Sequence, residues 1–198
     1  MSKSRQLLSD EEIVKKIRNN KETELFSVLY KRYYPKIIDK CYSLTHSRDL
    51  SEELAGDILS KVYEKLDGFK GSSSFSSWLY SVTYNHCIDY LRDKKKLHYP
   101  EWNSSNELPE IIDETYEEKE EIGYDQLMKL LNGLHTEEKA LIMMRYFDEM
   151  PLMQIAEALR ITESAAKMRL KRAKARLLFQ YKSQFMLLFC FSASLLYR

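Results

Sequence analysis

Between Phe69 and Lys96 the chain concentrates residue types that can handle a nucleic-acid strand. Phe69-Lys70-Gly71-Ser72-Ser73-Ser74 is a small polar loop, followed by Phe75-Ser76-Ser77-Trp78-Leu79-Tyr80. Gly71 tolerates backbone angles that residues with a Cβ resist, and the serines can bond local backbone groups and cap a helix. The spacing predicts a helix over 75–96. At 100° per residue, Trp78, Leu79, Val82, His86 and Tyr90 share one arc, expected to be the buried one. Ser81, Asn85 and Arg92 fall on a neighbouring polar strip, with Tyr80, Tyr84, Cys87 and Leu91 beyond it. Aromatic faces stack on unpaired bases, amides read base edges, and Arg92-Asp93-Lys94-Lys95-Lys96 suits phosphates. On chemistry alone a second reading stays open. Aromatics at helical spacing usually form core, and a terminal lysine run complements the helix dipole.

A second concentration of charge lies late in the chain. Gln154-Ile155-Ala156-Glu157-Ala158-Leu159, a tight turn at Arg160-Ile161-Thr162, and a basic helix from Glu163 to about Tyr181 follow the helix-turn-helix pattern. Thr162 is the expected N-cap. Ala166, Leu170, Ala173 and Leu177 step along the inner face. Ser164, Lys167, Met168, Lys171 and Arg172 lie on the outward side, where a major-groove helix reaches base edges and phosphates. Arg169, Lys174 and Arg176 are assigned to phosphates or to the protein surface. A surface helix of alternating ion pairs would look similar, but the six basic residues here face one nearby acid, Glu163.

These two stretches need a scaffold. The 198 residues suffice for one mid-sized domain or two small ones. A net charge of +1 hides segregation: acidic residues from Glu101 to Glu121 crowd the middle and basic ones the last helix. Three widely spaced cysteines suit a reducing compartment and argue against a disulfide framework. The four histidines lack metal-ligand spacing. No signal-peptide core, phosphate loop or nucleophile elbow occurs, so neither catalysis nor a cofactor is expected. With little glycine, proline or strand alternation, the fold class is all-α: two small helical domains joined by a flexible acidic linker.

In order, a capping box at Ser9 and Glu12 starts a helix ending by Asn20. A second helix over 21–45 carries Leu25, Phe26, Leu29, Tyr33, Ile37, Cys41 and Leu44, with Pro35 expected to kink or divide it. A third over 49–66 has Leu54, Ile58, Val62 and Leu66, with Leu59 and Tyr63, as its apolar stripe. Glu52, Glu53 and Asp57 lie alongside. Residues 97–123 form the linker, either a plain tether or an anionic strand that follows a basic channel. The second domain, 124–182, begins with Leu127, Leu130, Leu131 and Leu134. Thr136-Glu137-Glu138 is expected to cap its next helix, with Met143, Met144, Tyr146 and Phe147 in the core. The apolar tail, 183–198, is shorter than the roughly 20 residues a membrane span needs. Packing on protein, a partner or a membrane surface all remain open for it.

Phe69-x-Gly-x-Ser-Ser-Phe-x-Ser-Trp-Leu-Tyr with Asn85-x-Cys-Ile-Asp-x-Leu-Arg92 resembles regions 2.3 and 2.4 of the extracytoplasmic-function (ECF) sigma factors of the sigma-70 family. Leu50 to Leu59 resembles the family's polymerase-docking helix, with Gly56 where glutamine is usual and Asp57 where glutamate is. Ile155 to Ala173 resembles region 4, with Arg160 where glycine is common in the turn. The resemblance implies a cytoplasmic, non-enzymatic protein that binds core RNA polymerase and melts promoter DNA without ATP. Glu52, Glu53 and Asp57 would meet the clamp helices of the largest subunit, and the flap would be a further contact. Lys70, Ser72, Ser73, Ser74, Asn85, Arg92, Lys94 and Lys95 would engage the minus-10 element as single strand. Ser164, Lys167, Met168, Lys171 and Arg172 would read the minus-35 duplex. An anti-sigma factor is a further partner that the resemblance allows; a small-molecule substrate is not implied. A one-component DNA-binding regulator and a protein-binding adaptor are the competing classes.

Overall fold

The computed structural model describes residues 8–95 and 123–196, with side chains described for 8–94 and 123–183. The linker assignment therefore lies outside the described residues, as do the side chains of Lys95 and of the tail from 184 on. Every regular element among the described residues is helical.

Among the described residues the first bundle has four helices. Helix α1 (Asp10–Asn20) opens with the expected box: Glu12 N–H donates to Ser9 Oγ at 3.1 Å, and Ser9 N–H to Glu12 Oε2 at 2.8 Å. Lys21, left-handed at φ 55°, ends it, so a short 3₁₀ turn (Thr23–Leu25) precedes α2 (Phe26–Thr45). Pro35 lies inside α2, which runs on undivided; of the kink or division expected there, the division does not occur. Helix α3 (Arg48–Glu64) is capped by Ser47, whose Oγ accepts from Leu50 N–H. After a 3₁₀ turn (Leu66–Gly68), helix α4 spans Phe75–Lys95. Helices α2 and α3 pair closely and α4 packs across both.

The second bundle contains α5 (Tyr124–Asn132), α6 (Thr136–Ile142), a π-helical turn (Met143–Phe147), α7 (Leu152–Ala158) and α8 (Glu163–Leu196). His135, not Thr136, caps α6, its Nδ1 accepting from Glu137 N–H at 3.3 Å. Thr162 caps α8 as expected, accepting from Ala165 N–H at 3.1 Å. Helix α8 does not stop near Tyr181; the backbone continues as one 34-residue helix through the tail.

Burial corrects several expectations. Tyr63 is 44 % exposed and lies edge-on to Phe26 at 4.9 Å, so it leaves the apolar stripe of α3. Tyr146 and Phe147 face solvent, while Met143 and Met144 do enter the core. Glu137, Glu138 and Lys139 are all buried. Burying three consecutive charges is costly unless each is paired. Arg169 and Arg176 of α8 supply two of the partners, at 2.9 Å from Glu137 and Glu138. Those arginines therefore touch protein, and the basic run of α8 faces more than Glu163. The buried residues of both bundles form one contiguous apolar cluster.

Candidate nucleic-acid interface

The 69–74 loop is held by groups distant in sequence. Arg18 Nη1 donates to the Phe69 carbonyl at 2.8 Å, and Glu11 Oε1 accepts from Phe75 N–H, the first amide of α4, at 2.9 Å. Gly71 takes φ 72°, which a side chain would resist. Ser74 Oγ accepts from Ser77 N–H at 3.2 Å as the helix cap. Phe69, Phe75 and Trp78 meet at 5.4–5.8 Å between ring centroids. This aromatic floor gives the loop a fixed seat.

The arc of α4 expected in the core is offset from the observed one. Phe75, Leu79, Thr83, Tyr84, Cys87, Ile88 and Leu91 are buried, whereas Trp78, Val82, His86 and Tyr90 are half-buried. Periodicity fixes the repeat of a stripe and leaves its phase open when several faces are covered. Cys87 donates to Cys41 at 3.4 Å across α2 and α4; both thiols are free and buried. That bond and burial push the Cys87 thiol well above its usual range. Lys61 donates to His86 Nδ1 at 3.0 Å, and burial followed by the Lys61 charge pushes the imidazole down. Among the described residues no cluster suited to a metal occurs.

Trp78, Ser81, Val82 and Asn85 of α4, with Phe69, Lys70, Ser72 and Ser73, line a cleft of about 430 Å³. Its aromatic wall, hydroxyls and amide suit an unstacked base. Lys70, Ser72, Ser74 and Lys94 are exposed, and Ser73 is half-buried. Asn85 and Arg92 are not open to solvent as expected, because the second bundle reaches them. With its amide oriented to satisfy both neighbours, Asn85 donates to the Ala158 carbonyl at 3.2 Å and accepts from Arg160 at 3.3 Å. Arg92 Nε donates to Glu137 Oε1 at 2.8 Å.

The other candidates fall on two further surfaces. Glu52, Glu53 and Asp57 are exposed on one side of α3, Glu52 accepting from Arg48 at 2.8 Å. On α8, Ser164, Lys167, Met168 and Lys171 project outward, while Arg172 is half-buried. Arg160 adopts φ 54° at the turn before α8, and Ile161 N–H donates to the Ala156 carbonyl at 3.0 Å, a Schellman closure. Sequence reasoning missed Asp148 and Glu137. Both acids draw their cations from residues far away in the chain, so local spacing carries no signal of them.

Comparison with known proteins gives this geometry a family. The profile described as Sigma-70 region 2 matches residues 29–97, and that described as Sigma-70, region 4 matches residues 124–177. The chain is 27% identical over 154 residues to RNA polymerase sigma factor YlaC of Bacillus subtilis (strain 168), covering 75% of this chain and 87% of that protein. It is 26% identical over 181 residues to ECF RNA polymerase sigma factor SigW of the same organism, covering 83% and 94%. Its fold resembles that of sigma factor RpoE from Bartonella quintana, solved in complex with the anti-sigma factor NepR. The TM-score is 0.54 at 20% identity, covering 79% of this chain and 96% of that one. Two matched regions in family order place the chain in the sigma-70 family, ECF subfamily, as a sigma factor directing promoter-specific transcription initiation by RNA polymerase.

Proposed function

We propose a division of labour between residues 9–96 and 124–182, bridged by 97–123. In the first unit, Glu52, Glu53 and Asp57 present an exposed acidic face of α3 to the clamp helices of the polymerase largest subunit. Lys70, Ser72, Ser73, Ser74, Asn85, Arg92, Lys94 and Lys95 hold the minus-10 strand once it is unpaired. In the second, Ser164, Lys167, Met168, Lys171 and Arg172 read the minus-35 duplex from the major groove, while the flap supports this unit on the polymerase. The observation that carries the reading is the wall that α4 and its loop give to the cleft, where Trp78, Ser81 and Asn85 stand beside Lys70, Ser72 and Ser73.

Melting on this scheme needs no ATP and no catalytic group in this chain. Stacking one base on an aromatic contributes roughly 1–3 kcal/mol, comparable to the few kcal/mol that unpairing it costs. Two captured bases can therefore offset the opening of a weak A·T-rich step. Function in the cytoplasm follows, where polymerase and DNA meet. An anti-sigma factor, such as the one solved with the fold neighbour, is a further partner proposed here.

The test is run-off transcription with purified core polymerase on a promoter library. Wild type should associate with core and select a promoter. Replacing Lys167 and Lys171 by Ala should cut promoter binding and lower the salt slope by about one per lysine. Unchanged run-off and salt dependence would show that α8 is not the reading helix.

A further inference from the structure

We propose that α1 is the frame of the 69–74 loop, with Glu11 and Arg18 as positioning residues for promoter opening; the inference deepens the sigma-factor reading above and rests on it. Glu11 and Arg18 lie about two helical turns apart, so they share one face of α1 with roughly 10 Å between them along its axis. From that face each takes one end of the loop. Arg18 Nη1 donates to the Phe69 carbonyl at 2.8 Å, where the chain leaves its 3₁₀ turn. Glu11 Oε1 accepts from Phe75 N–H at 2.9 Å, where α4 begins. The profile for region 2 starts at residue 29, so this frame lies ahead of the matched segment.

A frame must itself be fixed, and α1 is. Ile13, Val14 and Ile17 are buried, and Asp10 accepts from Arg32 Nη1 at 2.6 Å and from the Tyr33 hydroxyl, both on α2. On the helical wheel Glu11 and Arg18 flank Val14, at the margin of the buried face. The loop, by contrast, has no ladder of its own. Among the described residues no backbone–backbone hydrogen bond starts or ends at residues 70–73. The restraint on its ends therefore sets how far it can wander.

The chemistry at both ends suits that restraint. The Glu11 carboxylate stands at the N-terminus of α4, where the first amides lack intrahelical acceptors and the helix dipole favours negative charge. Ser74 Oγ serves Ser77 N–H at 3.2 Å, so the two side chains share the capping of one helix start. At the other end the Arg18 guanidinium also reaches Asp67 of the 3₁₀ turn at 3.9 Å. Each tie joins a charged side chain to a backbone group, the stronger kind of hydrogen bond. Lys70 and the serines that follow it thus meet the unpaired strand already placed, and capture need not first order them.

The experiment uses the full chain with Glu11→Ala and Arg18→Ala, each beside its conservative counterpart, Glu11→Gln or Arg18→Lys. Gln keeps an oxygen acceptor and Lys keeps a charged donor. Fluorescence of 2-aminopurine placed in the minus-10 element reads unstacking, with core polymerase on the promoter that wild type selects. Trypsin cleavage after Lys70 reads the loop itself, without polymerase. Each alanine variant should form about tenfold less open complex and be cut about tenfold faster, as loss of one charge-assisted hydrogen bond implies. Core association and minus-35 duplex binding should stay at the wild-type level, and the conservative variants should recover most of both losses. Wild-type opening and cleavage in both alanine variants overturns the proposal. So does a loss that neither conservative variant restores, or one matched by an equal loss of core association. A wild type that opens no promoter would count against the sigma-factor reading instead, and cleavage after Lys70 would then decide the frame alone.

Discussion

At the scale of single residues, position on α4 decides which substitutions reach folding and which reach DNA. Trp78 is half-buried over Phe69 and Phe75 and lines the cleft, so it is not the core anchor that periodicity suggested. Trp78→Ala should cost about 2 kcal/mol, below the roughly 3–5 kcal/mol of a full core truncation, and leave a folded protein. Urea denaturation measures that cost, and promoter opening should suffer more than stability does; a Trp78→Ala protein that opens promoters normally would remove this residue from the strand-binding wall. His135 gives a pH dependence. Burial pushes its pKa below the ordinary 6.5, as it does for His86. Between the folded value and 6.5 the unfolded chain binds more protons, so stability rises with pH through that window and levels off above it. Protonation of Nδ1 would also remove the acceptor that caps α6. The denaturation midpoint should fall as pH drops below about 6.5, and His135→Asn, an uncharged cap, should flatten that fall; equal slopes in both proteins would discount the histidine.

Individual helices show how far local rules reach. The Ser9–Glu12 box, the Thr162 cap, the positive φ of Gly71 and the turn at Arg160 were all legible, since each depends on residues within a few positions. The phase of α4 was not, because helices of both bundles cover it and apolar residues surround much of its circumference. The burial of Glu137, Glu138 and Lys139 was equally hidden. Their partners Arg92, Arg169 and Arg176, and the Ser43 carbonyl that accepts from Lys139, come from other helices. Gly56 of α3 allows an element-scale test. No atom lies within 4 Å of where its Cβ would stand. Gly56→Ala should therefore stabilise α3 by about 1 kcal/mol, a rise in Tm of roughly 2–4 °C for a chain of this size. Calorimetry decides; a lower Tm would mean that the glycine answers a packing need.

Across the whole molecule, the two surfaces proposed for DNA differ in readiness. Lys167 and Lys171 on α8 stand exposed, while Asn85 and Arg92 are engaged by the second bundle. The sequence reading placed two helical modules in the right order, yet nothing local to either could reveal that they share one apolar core. Permanganate reactivity of promoter thymines, in a complex of this protein with core polymerase and no nucleoside triphosphate, tests the account most directly. Reactive thymines confined to the minus-10 region, lost on Asn85→Ala while duplex binding persists, are the predicted result. Specific promoter binding with every thymine protected would contradict it.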